Sequence, residues 1–278
     1  MKKSVILGRV SVFTAILTLL FAKVSLASNG AWYSTNGVYR NTFWTNSWNW
    51  SASPYTSGNQ TATFNNSLNT TNTTLDLSGL SIISNIVFDA SGVASYTLGS
   101  NGVNQQTLVL PNGSIVQITS TAVNGQRINA AVLLGNDRSA STHTFRNDQP
   151  YGTLMIAGNV SATNSGGTAG AKTLNVAGIG NVTLGGNILL GGATSLTLTD
   201  ATAGTLLLTG SSNRINTVNV NSGTLTLIGT NLFDTVNVNN DSIVNSYGTN
   251  SLQTMNINGT GRSVINVVSG WLSFTNGG

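Results

Sequence analysis

One four-residue tag recurs along this chain: Thr or Ser, an apolar residue, any residue, and a second apolar residue. It starts at Thr153, Thr173, Ser195, Thr217, Thr235 and Thr254. Between Gly204 and Asp241 the unit is written almost twice. Gly204-Thr205-Leu206-Leu207-Leu208-Thr209-Gly210 leads to Thr217-Val218-Asn219-Val220-Asn221, and Gly223-Thr224-Leu225-Thr226-Leu227-Ile228-Gly229 leads to Thr235-Val236-Asn237-Val238-Asn239. A period of about 20 residues, built from strands rather than helices, is the mark of a solenoid. The pattern predicts an all-β chain folded as a single-stranded right-handed parallel β-helix.

The pleat supplies the reason. Residues two apart on a strand share a face, so Leu174 and Val176, Leu196 and Leu198, Val218 and Val220, Val236 and Val238, and Met255 and Ile257 each point one way. A lone strand cannot bury that face, but copies stacked about 4.8 Å apart make one continuous core. The residues between them, Asn175, Thr197, Asn219, Asn237 and Asn256, should then climb the outside as a polar ladder, amide bonded to amide.

Ahead of the repeats the chain opens as an exported protein does. Met1-Lys2-Lys3 and Arg9 precede an apolar run from Val10 to Phe21, and Ser25-Leu26-Ala27 reads as a cleavage site. Residues 1–27 are therefore read as a signal peptide, with an uncleaved anchor as the rival. The formal charge of +4 lies in that segment: after it, seven basic residues face seven aspartates. A near-neutral mature chain gives no reason to expect nucleic acid as a partner, and no transmembrane helix is expected once the signal is cleaved. With no cysteine anywhere, a disulfide framework and thiolate metal sites are excluded.

Residues 28–64 differ in composition. Trp32, Trp44, Trp48 and Trp50 fall there, with Tyr33, Tyr39, Phe43, Tyr55 and Phe64. Two readings compete: a cap that closes the first coil with bulky side chains, and a platform for stacking on sugar rings. Residues 65–278 are assigned to rungs; at about 20 residues each, the chain from 28 to 278 would make roughly ten to twelve coils. Residues 135–152 gather Asp137, Arg138, His143, Arg146 and Asp148, and read as a longer loop or irregular rung. The stop at Asn276-Gly277-Gly278, straight after Trp271-Leu272-Ser273-Phe274, reads as a truncated or partnered product.

The segment Ala203-Gly204-Thr205-Leu206-Leu207-Leu208-Thr209-Gly210, then Asn213, then Thr217-Val218-Asn219-Val220-Asn221-Ser222-Gly223-Thr224-Leu225, resembles the autotransporter-associated β-strand repeats of bacterial exported passengers. The order of Trp48-Asn49-Trp50, Pro54, Thr61-Ala62-Thr63-Phe64-Asn65-Asn66, Ile86-Val87-Phe88-Asp89 and Ser95-Tyr96-Thr97-Leu98-Gly99 is similar to the lead-in before such repeats. The likeness is densest over 172–245. It departs where Arg214-Ile215-Asn216 replaces the usual Thr-Tyr-x-Gly turn, and where no outer-membrane β-barrel follows. The resemblance implies a β-helical passenger, displayed at the cell surface or outer membrane or released outside the cell, with its barrel missing from this chain.

Catalysis in a β-helix needs carboxylates grouped on one face. Asp76, Asp89, Asp137, Asp148, Asp200, Asp234 and Asp241 form no Asp-Asp or Asp-x-Asp pair. His143 between Asp137 and Asp148 is the one combination with acid–base potential, and a solvated loop with surface ion pairs is the plainer account of it. The reading is thus a non-catalytic stalk, adhesin or matrix component, without a cofactor or metal, whose partners are a surface glycan or further copies of itself. Two alternatives stand beside it. One is a glycan-binding or carbohydrate-active β-helix using Trp32, Trp44, Trp48, Trp50 or His143; the other is a truncated passenger lacking its barrel.

Overall fold

The computed structural model describes residues 29–32, 42–54, 60–65, 73–89, 91–92, 94–135, 137–162, 170–259 and 261–275. The signal-peptide assignment lies outside them. Among the described residues the architecture is a parallel β-helix of three sheets, in which every strand-to-strand pairing is parallel. Sheet 1 has eleven strands in chain order: Gly30–Ala31, Thr61–Phe64, Asn85–Phe88, Ile115–Ile118, Ser141–Asn147, Lys172–Gly178, Leu196–Thr202, Asn213–Val220, Thr230–Asn239, Thr249–Asn258 and Trp271–Phe274. Sheet 2 has nine, from Thr74–Leu75 to Val264–Val267, and sheet 3 only five, from Leu80–Ile82 to Ile188–Leu189.

Alternation drives the stack. Thr61–Phe64, Asn85–Phe88, Thr205–Leu208 and Thr224–Leu227 all alternate half-exposed and buried positions. Leu206 sits over Val182 and under Leu225, and Leu208 over Leu184 and under Leu227. All six are buried, and each such side chain contributes about 1.5–3 kcal/mol by leaving water.

The register of the tags is mixed. Thr217, Thr235 and Thr254 stand directly over one another, as do Val218, Val236 and Met255. The Ser195 tag is displaced: Thr173 pairs with Thr197 and Leu174 with Leu198, so Val176 meets Asp200. A slip of two keeps the apolar face inward, which is why alternation alone could not reveal it. Thr153 opens a strand of sheet 2, over Arg127's strand and under Asn181, so its step to Thr173 passes between sheets and not between rungs.

Coil length also varies. Ile115 stands over Asn85, and the numbering advances by 30 between them. From Asn213 to Asn231 and on to Asn250 it advances by only 18 and 19. The early coils carry a separate sheet 3 strand and a turn before sheet 1, as in Thr107–Leu110, Pro111 to Ser114, then Ile115–Ile118. Gly113 takes a positive φ of 82° in that turn, where a side chain is strained. In the late coils one strand covers both sides. Asn213–Val220 has two successive half-buried residues, Asn216 and Thr217, where it changes face. Asn213 Oδ1 accepts from the Ile188 N–H at 2.8 Å, so a side-chain bond ties the start of this strand to the last strand of sheet 3.

Gly30–Ala31 pairs with Thr61–Phe64, which pairs with Asn85–Phe88, so these two strands of the aromatic segment belong to the same sheet as the rungs.

Candidate functional site

The aromatic segment splits into an inside and an outside. Trp32, Trp44 and Trp50 are buried. Trp50 lies edge-on to both of the others, with ring centroids 4.9 and 5.0 Å away, and its Nε1–H donates to the Trp44 carbonyl at 2.8 Å. Below them Phe64 stacks on Phe88 at 5.0 Å and meets Tyr96 at 4.7 Å. These rings plug the end of the core, so none of the three offers a face to a sugar. Trp48 does the reverse. It rides on the short 3-10 turn Ser47–Asn49, where its N–H donates to the Asn46 side chain at 3.1 Å, and it is 73 % exposed.

The charged neighbourhood is not a loop through its length. Bends at 137–139 give way to the seven-residue strand Ser141–Asn147 of sheet 1, in register with Lys172–Gly178 above. Because strand positions alternate, His143 and Phe145 point into the core and Arg146 points out. His143 is buried under Leu174. Its Nε2 lies 2.9 Å from Ser141 Oγ, and its Nδ1 has no partner. Burial, and then the charge of Lys172, push its pKa from 6.5 down to about 4, so the imidazole is neutral at neutral pH.

The two carboxylates named with it lie elsewhere. Asp148 Oδ2 accepts from Arg146 Nε at 2.7 Å and from Gln117 Nε2 at 2.8 Å on the outer face. Asp137 sits at a corner of the coil, where it accepts the Ser139 N–H at 3.0 Å and both oxygens take the Asn112 amide at 3.2 and 3.1 Å. Among the described residues, no hydrogen bond or ion pair joins His143 to either. The acid–base combination weighed against a solvated loop is therefore not assembled, and His143 is not in a solvated loop either: it is a neutral core histidine with lysine, not carboxylate, as its charged neighbour.

Two features left no signal in the sequence. Asp200 points inward between Val176 and Val220 and is buried. One oxygen accepts the Thr202 N–H at 3.1 Å, the other has no partner, and burial raises its pKa to about 8. The second feature is an internal amide column: Asn213 Nδ2 donates to Asn231 Oδ1 at 2.7 Å, Asn231 to Asn250 at 2.5 Å, and Asn250 to Ser246 Oγ at 2.5 Å, all four residues buried.

The outer ladder is present over part of its expected length. Asn237 donates to Asn219 at 2.7 Å and Asn256 to Asn237 at 2.8 Å, with a parallel column through Asn221, Asn239 and Asn258. Asn175 pairs with Thr199, not Thr197, so its amide does not meet another amide there. Among the described residues, no three His, Cys, Asp or Glu side chains gather as metal ligands, and no helix is long and apolar enough to cross a membrane. No protein-family model matches the chain, and no curated protein or solved structure is significantly similar to it.

Proposed function

We propose that the chain is an exported, non-catalytic β-solenoid serving as a surface stalk, adhesin or matrix component, in the manner of the passengers its repeats resemble. The observation that carries this reading is where the polar groups go. Asparagine columns inside and outside bond coil to coil, and the described carboxylates sit singly at corners or on strand faces. Such an arrangement stiffens a rod and presents long neutral faces, a geometry suited to spacing and contact. The test is to delete the gene and display the chain on a non-adherent bacterium, scoring cell attachment and autoaggregation. Attachment lost on deletion and gained on display is the expected result; unchanged attachment in both would sink the reading.

A glycan-binding variant of the same reading has one specific support, the exposed ring of Trp48. Binding on a glycan array that disappears in Trp48→Ala, with unfolding unchanged, is the outcome it requires.

A further inference from the structure

The chain has four lysines, and three of them, Lys2, Lys3 and Lys23, precede the repeats. The fourth, Lys172, is buried at the head of its strand, with 1 % of its side chain exposed. Its Nζ donates to the Ser139 carbonyl at 2.6 Å and lies 4.0 Å from Asp137 Oδ1. That same carboxylate grips the Asn112 amide nitrogen with both oxygens. Gly135, at φ +78°, lets amine and amide both close in on its backbone: a Cβ there would lie 2.7 Å from Lys172 Nζ and 3.1 Å from Asn112 Oδ1. An amine, a side-chain amide and a carboxylate that can hand protons between them thus line one small space.

We propose that Lys172 and Asn112 form an intramolecular amide bond, with Asp137 as the proton carrier. The lone pair on Lys172 Nζ attacks Asn112 Cγ and a C–N bond forms. Asp137 takes the proton from Nζ and delivers it to Nδ2, which it already holds. The Cγ–Nδ2 bond then breaks and ammonia leaves. One amide replaces another, so no oxidant, nucleotide or metal is consumed. Two features favour the attack. Burial lowers the Lys172 pKa against the opposing pull of Asp137, which increases the share of neutral, nucleophilic amine. His143 beside it stays uncharged at neutral pH. The bond would fasten the turn before Ile115–Ile118 to the start of Lys172–Gly178, two coils further along, in a chain with no cysteine to do so.

The experiment is the intact mass of the folded chain, followed by digestion. The expected mass is lower than that of the sequence by one ammonia, and a branched peptide joins Asn112 to Lys172. Asn112 precedes Gly113 and can also lose ammonia by cyclising onto the Gly113 nitrogen, so Lys172→Arg separates the two reactions. The full mass returns in that variant if the lysine is the nucleophile. Asp137→Asn is expected to keep the full mass, with Lys172 open to an amine reagent after denaturation. A wild-type chain of full mass, or an ammonia loss that survives Lys172→Arg, overturns the proposal. Should either variant fail to fold, the wild-type mass and the branched peptide decide alone.

Discussion

The early coils, through Val160–Ser161, and the late coils, from Asn213–Val220 onward, share parallel stacking and differ in how they turn their corners. An early coil such as that from Asn85 to Ile115 is built from separate strands and the turns between them. A late coil, from Asn213 to Asn231 or Asn231 to Asn250, needs far less chain because one strand rounds the corner unaided. The difference decides which side chains can stack. Successive late coils of nearly constant length bring asparagine over asparagine, inside and outside. Early coils stack apolar residues instead, Phe64 under Phe88 and Leu110 under Leu134, and aromatic rings pack at their end. Amide columns tie the late coils to one another, and aromatic and aliphatic stacking dominates the interior of the early ones.

Substitutions on the two sides sharpen this contrast. The largest effect is expected from Phe64→Ala, which removes the ring on which Phe88, Tyr96 and the tryptophans rest. A loss of about 3–5 kcal/mol follows from such a cavity. Since coils contact mainly their neighbours, hydrogen exchange should accelerate in the early coils and leave Thr230–Asn239 protected. Equal acceleration throughout would mean the two regions unfold as one.

Asp200, between the two regions, gives the next effect. Its carboxyl is held protonated to about pH 8 in the fold and ionises near the ordinary 3.8 when unfolded. The unfolded chain therefore binds fewer protons between those values, and stability falls as pH rises from about 4 to about 8. Asp200→Asn keeps an acceptor for the Thr202 N–H and should raise stability at pH 7 by roughly 2–4 kcal/mol. His143 acts with the opposite sign. Its folded pKa near 4 lies below 6.5, so its contribution is present above pH 6.5 and is lost as pH falls towards 4. Thermal unfolding of Asp200→Asn and His143→Leu across pH 4–8 separates the two slopes.

Asn231→Ala opens the internal column and leaves the Asn213 donor without its acceptor, a cost of about 1–3 kcal/mol. Asn237→Ala on the outside, where water replaces the lost partners, should cost no more than about 1 kcal/mol. Denaturant midpoints of the two variants measure the gap. Trp48→Ala should change stability by less than about 0.5 kcal/mol, because its ring is in solvent.

The alternation of Thr, Val, Leu and Asn was enough to give parallel stacking, the inward face of most strands, and the Thr217, Thr235 and Thr254 register. It could not assign Thr153 to sheet 2 or detect the slip at Ser195, because a period of two fixes the face of a residue and not its neighbour above. Sheet 3 was hidden for a related reason: alternation does not tell whether a strand turns a corner, as at Asn216 and Thr217, or stops there. The candidate site was less legible. Asn213, Asn231 and Asn250 lie beside glycine or serine turns, where asparagine is ordinarily exposed. The four tryptophans crowded between Trp32 and Trp50 look alike until one finds itself outside the plug. The strand through His143 was masked by its charged neighbours, although Thr142, Thr144 and Phe145 carry ordinary strand propensity.

The unequal coils also set how such a rod would yield to tension. The bonds between coils run along its axis, so a pull on its two ends peels turns away in succession, much as a wound thread leaves its spool. Each late turn releases roughly 65 Å of extended chain and each early one roughly 100 Å. A single molecule stretched between a tip and a surface would thus lengthen in two step sizes, and the step size would tell which end is coming undone.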